Sequence, residues 1–78
     1  MRKVYVSVMA KFDLEGNVTP VSVTWEDGHI YSIDRVTKKI RAASMKAGGQ
    51  GIRYTVEIGG KETFLFYEKP RWFVEGKR

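Results

Sequence analysis

Apolar and polar residues alternate most cleanly towards the C-terminal end of the chain. Ile52, Tyr54, Val56 and Ile58 share one parity, and Arg53, Thr55 and Glu57 share the other. Successive side chains of an extended chain point to opposite faces, so this pattern predicts a strand with one wet face. Gly59-Gly60 interrupts it, and a two-residue Gly-Gly link between such runs predicts a tight hairpin. The next run, Lys61 to Glu68, carries Phe64, Leu65, Phe66 and Tyr67, and Lys69-Pro70-Arg71 turns the chain into Trp72-Phe73-Val74. The stretch from Gly51 to Gly76 reads as a three-stranded antiparallel meander.

The same parity rule organises the first half. Val4, Val6, Val8, Ala10 and Phe12 alternate with Tyr5, Ser7, Met9 and Lys11, which predicts a strand from Lys3 to Phe12. This alternation, with Lys11 and Asp13 cutting the apolar run short, argues for a strand and against a signal peptide. Gly16-Asn17 suits a turn. A second strand runs from Val18 to Trp25. Pro20 has no N–H to give a ladder, so that part belongs at an edge or a bend. Asp27-Gly28 predicts a hairpin into a third strand, Ile30 to Val36. There the parity fails: Tyr31 and Ile33 agree, but Ile30 and Val36 do not, which predicts a bulge or sharp coil. Residues 37–50 are the ambiguous segment. Ile40, Ala43 and Ala47 fit a helical spacing too short to hold a helix alone, and an extended arm or partial strand running into the Gly48-Gly49-Gln50-Gly51 loop is the preferred reading.

Nothing in the chain shows a strand–helix–strand rhythm. The expected fold is all-β: one domain over residues 1–78, a small antiparallel barrel or strongly bent sheet of five to six strands, SH3-like or OB-like in scale. Closing the sheet on itself removes edges that a small β chain otherwise struggles to protect. At 78 residues the core is small, and 13% aromatic content helps to fill it.

Composition removes several chemistries. The chain has no cysteine and one histidine, His29, so disulfides, thiolate nucleophiles and a multi-histidine metal site are excluded within one chain. His29 near Glu26, Asp27 and Asp34 sits by a turn where carboxylates ordinarily serve turn geometry, and no nucleophile accompanies it; an enzyme is not expected, and neither is a cofactor. No run approaches the ~20 apolar residues of a membrane span. A soluble, cytoplasmic protein is the expectation.

Charge adds the one pointed signal. The formal net charge is +5, and between Asp34 and Glu57 there is no acidic residue while Arg35, Lys38, Lys39, Arg41, Lys46 and Arg53 all fall there. Such a ridge neutralises phosphates and releases counterions. Small β-barrels combine ridges of this kind with exposed rings to hold single strands. Tyr31 and Tyr54 are the first candidates for stacking, with Tyr5, Tyr67 and Phe73 behind them. The bland alternative is a solvated basic loop. The glycine-bearing Ala47 to Arg53 stretch lacks the Gly-Lys-Ser/Thr ending of a Walker motif and reads as a flexible loop before a strand. Trp72 reads as a core anchor.

The chain resembles a group of short, uncharacterised bacterial proteins. The residues that carry the likeness are Thr24-Trp25-Glu26-Asp27-Gly28, Tyr31-Ser32-Ile33-Asp34-Arg35-Val36, the block from Ala42-Ala43-Ser44 to Arg53-Tyr54, and Arg71-Trp72-Phe73-Val74-Glu75. A looser likeness extends to small β domains encoded near or attached to translesion DNA polymerases, with Trp25, Tyr31, Ile33, Val36 and Trp72 at the shared positions. The resemblance implies a cytoplasmic accessory module with nucleic acid as a partner, and supplies no catalytic residues.

The expected function is a non-enzymatic binding or accessory module that contacts DNA or RNA through the basic 35–53 ridge. The alternative is a protein–protein module or homodimer. It would act by strand addition at the Pro20 edge, through the last strand, or through an exposed aromatic patch.

Overall fold

The computed structural model describes residues 2–43 and 50–76. They form seven strands: β1 (Arg2–Phe12), β2 (Val18–Thr24), β3 (Ile30–Ser32), β4 (Arg35–Ala43), β5 (Gln50–Ile58), β6 (Lys61–Glu68) and β7 (Arg71–Gly76). All belong to one antiparallel sheet in the order β3-β2-β1-β7-β6-β5-β4. The expected all-β class is present and the 51–76 meander is β5-β6-β7. The strand count is seven rather than five to six, because the expected Ile30–Val36 strand is two strands and part of the ambiguous 37–50 segment is β4. No helix among the described residues is long and apolar enough to cross a membrane.

The sheet has to curl. β3 and β4 stand at its opposite edges, yet only Ile33 and Asp34 separate them in the chain. Seven strands laid flat would place those edges about 28 Å apart, at ~4.7–4.9 Å per strand gap. The three peptide links from Ser32 to Arg35 reach about 11 Å at most. The result is a half-barrel whose two edges meet at one corner. Both sides of that corner are pinned: the Ile33 N–H donates to the Val21 carbonyl at 2.9 Å and the Asp34 N–H to the Glu57 carbonyl at 2.7 Å. The Asp34 carboxylate also accepts from the Gly59 N–H at 2.9 Å.

β1 is the shared strand. Arg2 to Val6 pair with β7, and Ser7 to Phe12 pair with β2. Two bulges adjust the curl. Between Met9 and Ala10 the register with β2 shifts, leaving Val21 as the extra residue. Between Val36 and Lys38 the register with β5 shifts, leaving Thr37 extra. Gly59 and Gly60 have φ of 58° and 81°, the left-handed pair a two-residue hairpin needs.

The concave face holds the core. Val18, Val23, Tyr54, Val56, Leu65 and Trp72 are buried together, with Val6, Val8, Ile33, Val36, Ile52 and Val74 packed against them. These are the inward parities of each strand. Trp72 is the core anchor it was expected to be: its ring lies 4.3 Å from Tyr67 and 5.6 Å from Tyr54. β7 lies in the middle of the sheet: Trp72 and Phe73 pair with both β1 and β6, while Val74 to Gly76 pair with β1 alone. Among the described residues the outer strands are β3 and β4, and β3 does not reach the stretch of β2 from Val18 to Val21, where the Val21 carbonyl accepts from Ile33 and the Val18 carbonyl from Tyr54.

Candidate nucleic-acid interface

The basic run does not lie on one face. In β4 the extra residue Thr37 reverses parity, so each following side chain is turned relative to an unbroken strand. Directly opposed residues of paired strands point to the same side. Lys38 opposes Thr55 and Ile40 opposes Arg53, on the convex face; Lys39 opposes Tyr54 and Arg41 opposes Ile52, on the concave side. Arg35, ahead of the bulge, forms an ion pair with Glu57 at 3.3 Å. Lys46 lies outside the described residues.

Lys39 and Arg41 are brought together with residues of three other segments. They line a cleft between β4 and the β1–β2 turn, with Gly16, Asn17, Val18 and Ile52. The cleft continues past Arg41 as a cavity of about 420 Å³ walled by Phe12, Gly51, Tyr67 and Lys69. Among the described residues its cations are Lys39, Arg41 and Lys69, and no carboxylate lines either part. In the β1–β2 turn the Asp13 carboxylate is already engaged: it accepts from the Glu15 and Asn17 N–H groups at 2.9 and 2.8 Å and from the Asn17 amide at 3.1 Å. The Asn17 backbone bond, ahead of its side-chain bond, holds the Asp13 carboxyl below its usual range.

The two tyrosines proposed for stacking fall elsewhere. Tyr54 is 1% exposed. Its hydroxyl donates to the Val18 carbonyl at 2.5 Å, and Lys39 Nζ and Trp72 stand 5.7 and 5.6 Å from its ring. It is a core residue with no ring face for a base. Tyr31 is exposed but stacks on His29 at 5.5 Å and lines a different cavity of about 390 Å³, with Val23, Trp25, Ile58, Lys61 and Val74. No residue is common to that apolar cavity and the basic cleft. The ring that does stand in the cleft is Phe12, 63% exposed at the end of β1. Phe12 and Lys69 were not singled out as site residues, because each lies far in sequence from the basic run. A proline-containing turn and a strand end next to a predicted turn were the available signals.

The convex face is a second surface. One register row crosses five strands: Tyr5, Phe73, Phe66, Arg53 and Ile40. Phe66 and Phe73 stack at 4.9 Å, and Tyr5 meets Phe73 edge-on at 5.8 Å. Three rings of this face carry a cation, Tyr5, Phe73 and the neighbouring Phe64. Arg71 lies 3.6 Å over Tyr5, Lys3 lies 4.7 Å over Phe73, and Arg53 lies 4.6 Å over Phe64. Lys3 also pairs with Glu68 at 3.2 Å. Cations and carboxylates alternate here, unlike in the cleft, and the charged side chains shield apolar rings from water.

His29 Nδ1 stands 3.7 Å from the Asp27 carboxylate, both exposed in the β2–β3 turn. Asp27 also accepts from the His29 N–H at 2.9 Å, an Asx turn. Compared with protein-family models, with curated proteins and with solved structures, the chain finds no match in any of the three.

Proposed function

We propose that this chain is a non-enzymatic binding module, acting in the cytoplasm, that holds DNA or RNA by its phosphates along β4. One observation carries the reading: among the described residues, no carboxylate pairs with Lys38, Lys39 or Arg41, although all three sit on an edge strand and are exposed. Unpaired cations on both faces of one edge are suited to follow a strand of phosphates. The competing explanation is edge protection, since inward-pointing charges such as Lys39 and Arg41 discourage strand pairing. Titration with labelled single-stranded and duplex oligonucleotides at about 50 and 200 mM salt separates the two. Salt-sensitive binding supports the module; no binding at the lower salt leaves β4 as a guarded edge.

A second reading rests on the convex face. Tyr5, Phe64 and Ile40 are exposed there beside the buried Phe73. A patch of this kind suits a protein partner or a second copy of the chain. Sedimentation of the purified protein tests self-association, and a monomer at all accessible concentrations removes the homodimer.

A further inference from the structure

We infer that the cleft between β4 and the two turns takes one unpaired nucleotide, its base stacked on Phe12 and its phosphate held by Lys39, Arg41 and Lys69. The inference rests on the nucleic-acid reading above and adds to it a seat for a base. Three observations place base and phosphate side by side. Phe12 is the cleft's exposed ring, and its position opposite Val18 at the end of β1 fixes it on the rim. Cations come from two separate elements: Arg41 of β4 and Lys69 of the β6–β7 turn line the larger cavity, Lys39 stands with Arg41 in the adjoining cleft, and no carboxylate is among the described lining residues. The floor between them is apolar, made of Val18, Ile52 and Tyr67. Its volume of about 420 Å³ lies within the ~300–1,000 Å³ usual for small-ligand sites.

Chemistry favours a nucleotide over a bare anion. A phosphate alone would leave Phe12 and the apolar floor unused. A fatty chain would leave three cations without a partner. A planar ring joined to a phosphate uses both. In a duplex the base faces are already stacked, so the site selects single strands.

The test uses the full chain and a labelled oligothymidylate at about 50 mM salt, beside an abasic strand with the same number of phosphates. Phe12→Leu keeps apolar bulk and removes the ring, and Phe12→Trp restores one. Melting curves by circular dichroism check that both variants fold. The expected result is about a tenfold loss with Phe12→Leu for the thymidylate strand, no loss for the abasic strand, and recovery with Phe12→Trp, since one stacked base ordinarily changes affinity about five- to a hundredfold. Competition by free thymidine monophosphate distinguishes a loose nucleotide from a strand: displacement at equal concentration keeps the site and assigns it to free nucleotide. If the wild type binds but Phe12→Leu binds the thymidylate strand as tightly as the wild type does, the stacking seat is overturned and phosphate binding along β4 stands. If the wild type binds no strand at all, both proposals are overturned.

Discussion

The phenol of Tyr54 on β5 donates its hydrogen to the main-chain oxygen of Val18 on β2 at 2.5 Å, joining strands that stand four places apart in the sheet. This bond crosses the hollow of the half-barrel and closes it where no ladder does. Burial, and after it the neighbouring Tyr67 hydroxyl, raises the Tyr54 pKa above its usual 10.0. The protonated phenol is the form the fold holds.

Tyr54→Phe should therefore destabilise the protein by about 1–2 kcal/mol, the effect of removing one buried hydrogen bond. Urea unfolding monitored by tryptophan fluorescence measures it. The wild type should keep the whole of this contribution below pH 10 and lose it as pH climbs through the raised value, because the folded state then has to give up a proton it holds more tightly than the unfolded chain. In Tyr54→Phe that alkaline loss should shrink; an unchanged alkaline profile would mean that Tyr54 does not report the closure.

Replacing Lys38, Lys39 and Arg41 together by Glu should abolish oligonucleotide binding. Stability should shift by less than about 0.5 kcal/mol at Lys38 and Arg41, as for exposed positions without a carboxylate partner, and by about 0.5–1 kcal/mol at Lys39, whose Nζ stands over the Tyr54 ring. For the wild type, three phosphate contacts predict a slope of about −2 in log affinity against log salt. A slope near zero with binding intact would assign the attraction to the apolar parts of the cleft.

Asp13→Ala should loosen the turn that forms one wall of the cleft. The Asn17 and Glu15 N–H groups lose their acceptor, so their amide exchange should quicken while β5 and β6 stay protected. The wild-type carboxylate titrates below its usual range. Its support of the turn is thus present above about pH 4 and fades as pH falls through the lowered value. Exchange at Asn17 that is indifferent both to the substitution and to acid would contradict this.

Gly60→Ala should destabilise by about 1 kcal/mol, since φ of 81° puts a Cβ against the backbone whatever space surrounds it. A stability equal to wild type would require the β5–β6 turn to adopt another geometry.

Much of this architecture was legible from parity alone. Ile52, Tyr54, Val56 and Ile58 fall on one face in the sequence and on the concave face in the fold. The same parity marked Tyr54 as a core residue, and placing it among stacking rings set that signal aside. The failure of parity between Ile30 and Val36 also marked a real event. What it could not give was the event's kind: a corner at Ile33–Asp34 joining two sheet edges, followed by a bulge at Thr37. Because the bulge reverses which side Lys38 to Arg41 face, the division of the basic run between two surfaces was out of reach of the sequence. So was the gathering of Phe12, Arg41 and Lys69, which depends on how far the sheet curls rather than on any local pattern.

The pairing of β1 with β7 sets Arg2 opposite Gly76 at the centre of the sheet. Every other strand pairing joins neighbours in sequence. The chain thus divides kinetically into two locally zippered units, β1-β2-β3 and β4-β5-β6-β7, each able to assemble by short loop closures. Uniting them requires the longest closure the chain possesses, and ordering that loop precedes any reward from contacts. The folding barrier is expected at this last step. Substitutions in the β1–β7 seam, such as Val4→Ala opposite Val74, should slow refolding if the seam is formed in the transition state and speed unfolding if it forms afterwards.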